Sequence, residues 1–424
     1  MGNLDYTQVL NKIENTRRFG NEPGVVVTAQ VIKVLREKGK QKRIIPYIHV
    51  AGTNGKGSVC AFFSSILKKE HMRVGTFVSP HLVDFEESIT VDGRMIPKED
   101  VTRLGNYLLD IDFGIGLTMF DYCLAMALLY FEEQQCDYMV IETGLGGRLD
   151  STNAIGTPQC AVITKIGYDH MAILGSDIAD IAAEKAGIIK ENGTVVVEQQ
   201  DKRAMQVIEQ EAKKKHARII TVEQSDIARC SGYALRLCGT FQWENAAAAE
   251  LAARYVLGKR YSGPEYEMQY DKTEPKSEKT DLNDRIKSAL EEAVWPGRME
   301  IVSKEPFLLV DGAHNSNGVD ALKESLMQMY PGEKFCFFMG VMADKDYDVM
   351  IREILPLAEE FYTVTPDSDR ALQASHLADF IRKEGVCATE LSGVDEIRKH
   401  LKRDTKNVAF GSLYFIGELK QHRI

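Results

Sequence analysis

A glycine-rich segment near residue 55 carries the residue types that bind phosphate groups. It reads GTNGKGS over 52–58, so that Gly52, Gly55 and Gly57 surround Lys56 and the segment ends at Ser58. In such a loop the glycines let backbone N–H groups close around an anion, the lysine reaches the outer phosphates, and the serine hydroxyl can hold Mg²⁺. The alternative is an ordinary glycine-rich turn. Because lysine and serine follow in the required order, the segment predicts a phosphate-binding loop of the kind that holds nucleotides.

The sequence on either side of this loop predicts the elements that position it. Residues 44–50 form a β-branched, apolar run, and beyond Ser58 the apolar residues recur at helical spacing as far as Leu67. The order is therefore strand, loop, helix. In the usual phosphate loop four residues separate the first glycine from the glycine before the lysine, whereas only two separate Gly52 from Gly55. The spacing is unusual, but the order of elements still favours phosphate binding.

Two polar residues follow later predicted strands. Glu142 comes directly after the apolar residues 138–141, and His170 follows the strand predicted at 161–163. Ligands of a parallel sheet gather beyond the carboxyl ends of its strands, so Lys56, Glu142 and His170 are expected at one edge. Phosphoryl transfer needs Mg²⁺ between the phosphates, and Glu142 can hold the metal together with the loop serine. The alternatives are a carboxylate that caps a turn and a loop histidine bonded to the backbone.

Lys185 lies on the apolar face of a predicted helix. In the segment SDIADIAAEKAGIIK, the stripe formed by Ile178, Ile181 and Ile188 includes this lysine at helical spacing. An inward-facing lysine loses hydration, which favours its neutral amine. A neutral amine can take up CO₂ as a carbamate and so become a metal-binding carboxylate. The alternative is a lysine that extends from the end of the stripe into water, and the sequence leaves both open.

The length of the chain and its alternating strands and helices indicate two α/β domains. A chain of 424 residues is too long for one typical core. We expect a larger N-terminal domain over 1–295, with a mostly parallel sheet flanked by helices on both faces, and a smaller α/β domain over 299–424. A hinge is predicted at 296–298, and the polar stretch 259–283 is interpreted as a mobile surface excursion. Helices predicted in the first domain include 6–15, 28–38, 98–109, 119–133 and 285–294.

Three residues of the second domain are further candidates for the site. Asp311 and His314 follow the strand predicted at 307–310, again at a carboxyl end. Arg298 lies at the predicted hinge, from which it can reach bound phosphates when the domains close. The alternatives are a helix N-cap for Asp311 and a surface salt bridge for Arg298.

Charge and cysteine usage argue against several classes of protein. The net charge of −10 argues against a general nucleic-acid or membrane-surface binder. The eight cysteines contain no CxxC pair and no metal-ligand spacing, which is typical of reduced cysteines in the cytosol. No targeting segment is recognised, and no apolar run reaches about 18 residues, the length of a spanning helix. We expect a cytoplasmic monomer with no nucleic-acid or membrane partner.

The chain resembles the bacterial folylpolyglutamate synthase and dihydrofolate synthase family, a branch of the Mur ligase superfamily, along nearly all its length. The motifs that carry the resemblance occur in the family's order: HVAGTNGKGS, SPHL, IETGLGGRLDSTN, IGYDH, EKAGII, FQWENAAAA, WPGR, VDGAHN, GVMADKD and GSLYFIGE. The resemblance implies a P-loop domain followed by a C-terminal Mur ligase domain, and an ATP-dependent ligase. Such an enzyme activates a folate or dihydropteroate carboxylate as an acyl phosphate, which the amino group of L-glutamate attacks to release ADP and phosphate.

The resemblance also implies roles for single residues. The family's phosphate loop and adenine contacts fall on Thr53, Asn54, Gly55, Lys56, Gly57, Gln242 and Asn245. Its ligands for Mg²⁺, expected as two ions, fall on Ser58, Glu142 and His170, and its carbamylated lysine falls on Lys185. Its phosphate-binding arginine, its residues between ribose, phosphate and glutamate, and a further cleft residue fall on Arg298, Asp311, His314 and Ser412. The expected catalytic residues are Lys56, His170, Lys185, Asp311 and His314.

Departures from the family pattern lie where the pterin-bearing substrate is expected. Ser88 replaces an arginine, and Asp121, Tyr122 and Cys123 replace the residues that usually follow the phenylalanine at Phe120. Two alternatives therefore stay open. One is a Mur-type amide ligase paralogue that acts on another carboxylate, and the other, in a different class, is a P-loop ATPase switch. The sequence does not distinguish dihydropteroate from a reduced folate as the acceptor.

Overall fold

The structure is a computed structural model that describes residues 4–16, 20–262 and 276–424. The helices are α1 (Tyr6–Glu14), α2 (Gly24–Glu37), α3 (Lys56–Lys69), α4 (Lys98–Leu109), α5 (Met119–Glu133), α6 (Met171–Leu174), α7 (Ile178–Ala186), α8 (Lys202–Lys214), α9 (Gln224–Ser231), α10 (Phe241–Ser262), α11 (Lys276–Glu292), α12 (Ser316–Met329), α13 (Tyr347–Ile354), α14 (Ala374–Lys383), α15 (Ile397–His400) and α16 (Leu413–Gln421). The strands are β1 (Tyr47–Ala51), β2 (Val74–Phe77), β3 (Ile89–Val91), β4 (Arg94–Met95), β5 (Tyr138–Glu142), β6 (Cys160–Ile163), β7 (Thr194–Val197), β8 (Arg218–Thr221), β9 (Glu300–Lys304), β10 (Phe307–Val310), β11 (Phe335–Met339), β12 (Ala358–Thr363), β13 (Ala388–Glu390) and β14 (Lys406–Phe410). The surface excursion predicted at 259–283 lies largely outside the described residues, and α10 and α11 extend into its two ends.

The first compact unit is built around an eight-stranded sheet. It comprises the described residues of Met1–Ala234 together with Glu244–Ala293. The strand order is β4-β3-β2-β5-β1-β6-β7-β8. Six of these strands run parallel, namely β2, β5, β1, β6, β7 and β8, and β3 and β4 add an antiparallel hairpin at one edge. All five residues of β1 are buried, as expected for a central strand covered on both faces.

Helices cover both faces of this sheet. On one face, aliphatic and aromatic side chains of α1, α2, α4 and α5 pack against β1, β2 and β5, while α7 and α8 cover β6 and β7. The two-residue alternation of a strand turns Ile48 and Val50 to the opposite face. There α3 packs, and Phe63 contacts Tyr138 of β5 with ring centroids 6.2 Å apart. The predicted α/β class, with a mostly parallel sheet between helices, is confirmed.

The second compact unit is a smaller α/β structure with a six-stranded sheet. It comprises Leu235–Trp243 and Val294–Ile424. The first of these segments is short and is separated from the second by 50 residues that belong to the first unit or lie outside the described residues. The strand order is β13-β12-β11-β14-β10-β9, and only the pairing of β9 with β10 is antiparallel among the described strands. Its core is aromatic, because Phe337 packs against Phe361 and Phe410 with ring centroids 5.3 and 5.6 Å apart.

The predicted elements agree with the structure best where apolar periodicity is strong. Helices predicted over 98–109 and 119–133 coincide with α4 and α5, whereas the helix predicted over 285–294 begins earlier, as α11. The hairpin of β3 and β4 is not predicted, because its strands are very short. Its turn residues Asp92 and Gly93 have φ of 53° and 76°, which suits a two-residue hairpin turn. Within the described part of the chain, the helices lack the length and apolar character needed to cross a membrane.

Candidate active site

The glycine-rich loop between β1 and α3 is tightly enclosed by its neighbours. Gly55 has φ of +90°, a backbone conformation that favours glycine. A Cβ atom on Gly55 would lie 2.3 Å from Asn245 Oδ1, and a Cβ atom on Gly52 would lie 1.8 Å from Thr164 Oγ1. Neither position has space for a side chain. The glycines therefore let two other elements approach the loop closely, at the N-terminus of a 14-residue helix.

The first half of the loop is hydrogen-bonded to the segment that follows β6. The amides of Thr53 and Asn54 both donate to the Lys165 carbonyl, at 2.9 and 3.2 Å. Thr164 Oγ1 donates to the Asn54 carbonyl at 2.6 Å, and Thr53 Oγ1 donates to the Gly167 carbonyl at 3.0 Å. These groups shape the loop. The first amides of α3 have no acceptor within the helix, and they are the groups that can face an anion.

The structure brings Lys56 and Glu142 together at the carboxyl edge of the sheet. Glu142 is the last residue of β5, which pairs with β1. Lys56 Nζ lies 3.7 Å from Glu142 Oε1 and donates to the Thr53 carbonyl at 3.3 Å. Glu142 is buried, and so is Ser58 in the first turn of α3. A cation, a carboxylate and a hydroxyl thus come from adjacent elements, as strand-end positions in a parallel sheet predict.

Lys185 points into the protein beneath the same loop. It lies on α7 with a relative exposure of only 4%, and its Nζ donates to the Gly52 carbonyl at 2.8 Å. Burial, and next the nearby Lys56, lower the pKa of Lys185 to about 7, while Asp169 and Asp150 act in the opposite direction. The alternative in which this side chain extends into water is therefore wrong. The amine is a group that is substantially neutral near pH 7.

His170 occupies a more exposed position than the other predicted ligands. It has φ of 51° immediately before α6, and its side chain is 40% exposed. Its backbone N–H donates to Asp169 Oδ1 at 2.8 Å, and its Nε2 lies 3.9 Å from the same oxygen. Among the residues that the structure describes, no three His, Cys, Asp or Glu side chains cluster as a metal site. The hydroxyl of Ser58 and the carboxylate of Glu142 nevertheless match the oxygen donors that Mg²⁺ prefers.

Gln242 and Asn245 both lie in the first turns of α10. Both side chains are buried, and Asn245 Oδ1 lies next to Gly55, as the close approach to that glycine shows. Gln242 is grouped with the second compact unit, whereas Asn245 belongs to the first. The structure thus brings Asn245 next to the phosphate loop.

The second unit holds Asp311 at the carboxyl end of β10. Asp311 is buried, and its two oxygens accept hydrogen bonds from the amides of Met299 and Ala313, each at 2.8 Å. Burial raises the pKa of Asp311, while the guanidinium of Arg298 opposes the rise. A Cβ atom on Gly312 would lie 2.6 Å from Arg298 Nη1, which shows how closely the arginine approaches this turn. The helix N-cap alternative for Asp311 is wrong.

The residue that caps the following helix is Asn315, whose side chain accepts from the Gly318 amide. His314 Nδ1 lies 2.8 Å from the Gly312 carbonyl. Ser412 lies at the end of the neighbouring strand β14 and caps α16, since its Oγ accepts from the Phe415 amide at 3.1 Å. The C-terminal candidates therefore follow two adjacent strands at one edge of the second sheet.

The sequence did not single out Asp150, which organises the glycine-rich turn after Glu142. Its Oδ2 accepts from the amides of Gly144 and Leu145 at 3.0 and 2.9 Å, and its Oδ1 accepts from the Thr152 amide at 3.0 Å. The signal that indicates such a role is an aspartate directly after a glycine-rich turn, because its carboxylate can accept from several turn amides. Thr164, directly after β6, also follows a strand end.

The residues that depart from the family pattern have structural contacts of their own. Asp121 is buried at the start of α5 and accepts from the amide and hydroxyl of Thr118, at 2.8 and 2.7 Å. It also accepts from Ser151 Oγ at 2.6 Å. Ser88 and Cys123 are likewise buried. Asp121 therefore links the start of α5 to Ser151, which follows the glycine-rich turn after Glu142.

The chain matches two protein-family models. Residues 50–231 match the Mur ligase middle domain, and residues 297–411 match the Mur ligase, glutamate ligase domain. The fold and the loop thus define a Mur ligase. The chain is also 33% identical over 454 residues to the dihydrofolate synthase/folylpolyglutamate synthase of Bacillus subtilis (strain 168), covering 98% of each. It belongs to the dihydrofolate synthase/folylpolyglutamate synthase family.

Solved structures of this family have the same fold. Mycobacterium tuberculosis folylpolyglutamate synthase complexed with ADP is 25% identical, with a TM-score of 0.83 over 99% of this chain and 98% of that chain. E. coli FolC in complex with DHPP and ADP is 26% identical, with a TM-score of 0.80 over 99% of this chain and 97% of that chain. The similarity therefore extends over both units.

Proposed function

We propose that this protein is an ATP-dependent ligase that adds L-glutamate to the carboxylate of a folate, of dihydropteroate, or of both. An oxygen of the acceptor carboxylate attacks the γ-phosphorus of ATP, and ADP leaves. The amino group of L-glutamate then attacks the acyl phosphate carbon, loses a proton, and phosphate leaves as the amide bond forms. The relatives bear the names of these two synthases, and the M. tuberculosis and E. coli structures described above are complexes with ADP, which supports the proposal.

The observation that carries the proposal is the phosphate loop with its lysine and carboxylate. The loop leads into the N-terminal amides of α3, and Lys56 is the first residue of that helix. Glu142 lies 3.7 Å from the lysine. Amides and a lysine at fixed positions can neutralise the charge that develops on the transferring phosphoryl group without reorganising. Thr53 and Asn54 hold the loop in shape, and Gln242 and Asn245 are proposed to contact adenine.

The residues at this edge fit Mg²⁺. Ser58, Glu142, His170 and a carbamylated Lys185 would hold it, and we propose two ions. When bound, Mg²⁺ neutralises phosphate charge during the transfer. The low pKa of Lys185, about 7, supports the carbamate, because only a neutral amine takes up CO₂. The second unit contributes Arg298 for phosphate and Asp311, His314 and Ser412 for ribose or glutamate.

Phosphate release by the purified protein tests this function. With Mg-ATP and L-glutamate, we expect release that depends on either dihydropteroate or tetrahydrofolate, compared with a reaction that has no acceptor. Lys56→Met should reduce release to background, whereas Lys68→Met, at the exposed end of the same helix, should leave it unchanged. Release without an acceptor would instead favour an ATPase switch. If the protein binds ATP but releases no phosphate with either pterin, a paralogue with another acceptor is favoured.

Two further parts of the proposal concern the protein's setting. All eight cysteines are free thiols, which supports work in the reducing cytoplasm. We also propose that the protein acts as a monomer.

A further inference from the structure

A buried glutamate lies behind the phosphate loop and is not among its predicted residues. Glu198 follows β7 directly and is 1% exposed. Its amide donates to the Ile163 carbonyl at 3.0 Å, so its backbone continues the pairing of β7 with β6. A carboxyl group in such a place is costly unless it is hydrogen-bonded or neutral. The hydrogen-bond partners of Glu198 should therefore explain why a carboxyl group is buried near the loop.

The contacts of Glu198 lead to the loop in two steps. The Lys165 amide donates to Glu198 Oε2 at 2.7 Å. The carbonyl of the same Lys165 accepts from the amides of Thr53 and Asn54. Lys165 is thus held on one side by the glutamate and holds the loop on the other. The other oxygen, Oε1, is buried and has no hydrogen-bond partner among the described residues.

A second carboxylate connects the same region to α10. Glu244 Oε1 accepts from the Gln199 amide at 2.6 Å, and the residue after it, Asn245, lies against Gly55. Burial, and next the nearby Glu244, raise the pKa of Glu198 well above its ordinary value, while the amide and ammonium groups of Lys165 oppose the rise. The folded protein therefore favours the neutral form of Glu198 more than water does.

We infer that Glu198 is a positioning residue for ATP: its buried carboxyl group fixes the Lys165 peptide, and that peptide fixes the first half of the phosphate loop. Glu198 does not touch the nucleotide. Its effect is to keep the loop in the phosphate-binding shape before ATP arrives, so that binding does not include the cost of ordering it. The inference rests on the proposed function, because that function makes this loop the ATP site.

Steady-state kinetics and ATP binding by calorimetry test the inference with two variants. Glu198→Ala removes the acceptor of the Lys165 amide, and we expect the KM and Kd for ATP to rise about tenfold, with little change in the KM for L-glutamate. Glu198→Gln keeps an acceptor oxygen and the shape of the side chain, so its values should stay within about threefold of wild type. A general loss of folding would not produce this pattern.

Glu250 provides a matched control on α10. It is fully buried and forms ion pairs with Arg229 and Arg254, which lie outside the phosphate loop. Glu250→Ala should lower the unfolding midpoint but leave the KM for ATP unchanged. An unchanged KM for ATP in Glu198→Ala, or an equal rise in Glu250→Ala, would overturn the inference. A Glu198→Gln variant as impaired as Glu198→Ala would also overturn it.

These outcomes are distinct from failure of the proposed function. If the wild-type protein binds ATP but releases no phosphate with either pterin, the ligase proposal fails. The Kd for ATP of the two Glu198 variants still decides the role of Glu198 in that case.

Discussion

Replacing Lys185 with methionine should abolish ligase turnover and change how the free energy of unfolding depends on pH. Methionine has a similar length, is apolar and does not titrate, so Lys185→Met removes the amine without opening a large cavity. The variant should lose ligase turnover, because the proposed metal-binding group is gone. Its effect on stability depends on how strongly the folded protein disfavours the charged amine, and that quantity follows from the structure.

The pKa of Lys185 falls from 10.5 to about 7, mainly through burial. Between these two values the unfolded chain keeps a proton that the folded protein has lost, so stability rises with pH in this window. Each pH unit in which only the unfolded amine is protonated adds about 1.4 kcal/mol. From about pH 7 to about pH 9, this group should therefore add about 2 kcal/mol to the free energy of unfolding of wild type and nothing to that of the variant.

Urea unfolding followed by circular dichroism in CO₂-depleted buffer measures this difference. Trp243 and Trp295 both belong to the second unit, so their fluorescence follows that unit separately. The stability advantage of Lys185→Met over wild type should shrink by about 2 kcal/mol between the two pH values. Lys213→Met, an exposed position on α8, should parallel wild type. If Lys185→Met also parallels wild type, the folded protein does not hold a desolvated amine at this position.

Three further substitutions test other contacts. Gly55→Ala, at φ of +90° and with Asn245 Oδ1 2.3 Å from the new Cβ, should weaken ATP binding in calorimetry and cost about 1–3 kcal/mol of stability. Glu142→Gln keeps its shape but loses the charge beside Lys56, so the Mg²⁺ concentration for half-maximal phosphate release should rise about tenfold in a folded protein. Asp121→Ala leaves four buried or half-buried donors without their acceptor and should cost about 2–4 kcal/mol in urea unfolding, while the KM for L-glutamate stays constant.

Much of the fold could be predicted because apolar periodicity is local. Long helices such as α4 and α5 repeat their buried positions over several turns, and central strands such as β1 are continuous apolar runs. The same logic found Lys56 and Glu142, since both follow strands and the carboxyl ends of parallel strands meet at one edge. The apolar neighbours of Lys185 in the stripe indicate an inward position, but the sequence leaves an exposed position open, and only the folded chain decides between them.

The rest depends on contacts between segments that are distant in the sequence. Nothing in the residues around Glu198 says that its oxygen will meet the Lys165 amide, because that contact needs β6 and β7 to pair in their observed register. Short edge strands such as β8 and β13 carry too few buried residues to give a period. The grouping of 235–243 with the second unit is likewise a property of the folded chain.

The contacts between segments also explain the short spacing of the phosphate loop. With two residues between Gly52 and Gly55, the loop has fewer amides to wrap around an anion than the usual form. Those two residues, Thr53 and Asn54, instead direct their amides to the Lys165 carbonyl. The loop is therefore held by the neighbouring strand end and not by its own length, and we propose that the N-terminal amides of α3 and Lys56 bind the phosphate groups. A loop built in this way depends on the segment after β6, which is why Glu198, a buried residue outside the loop, is expected to affect ATP binding.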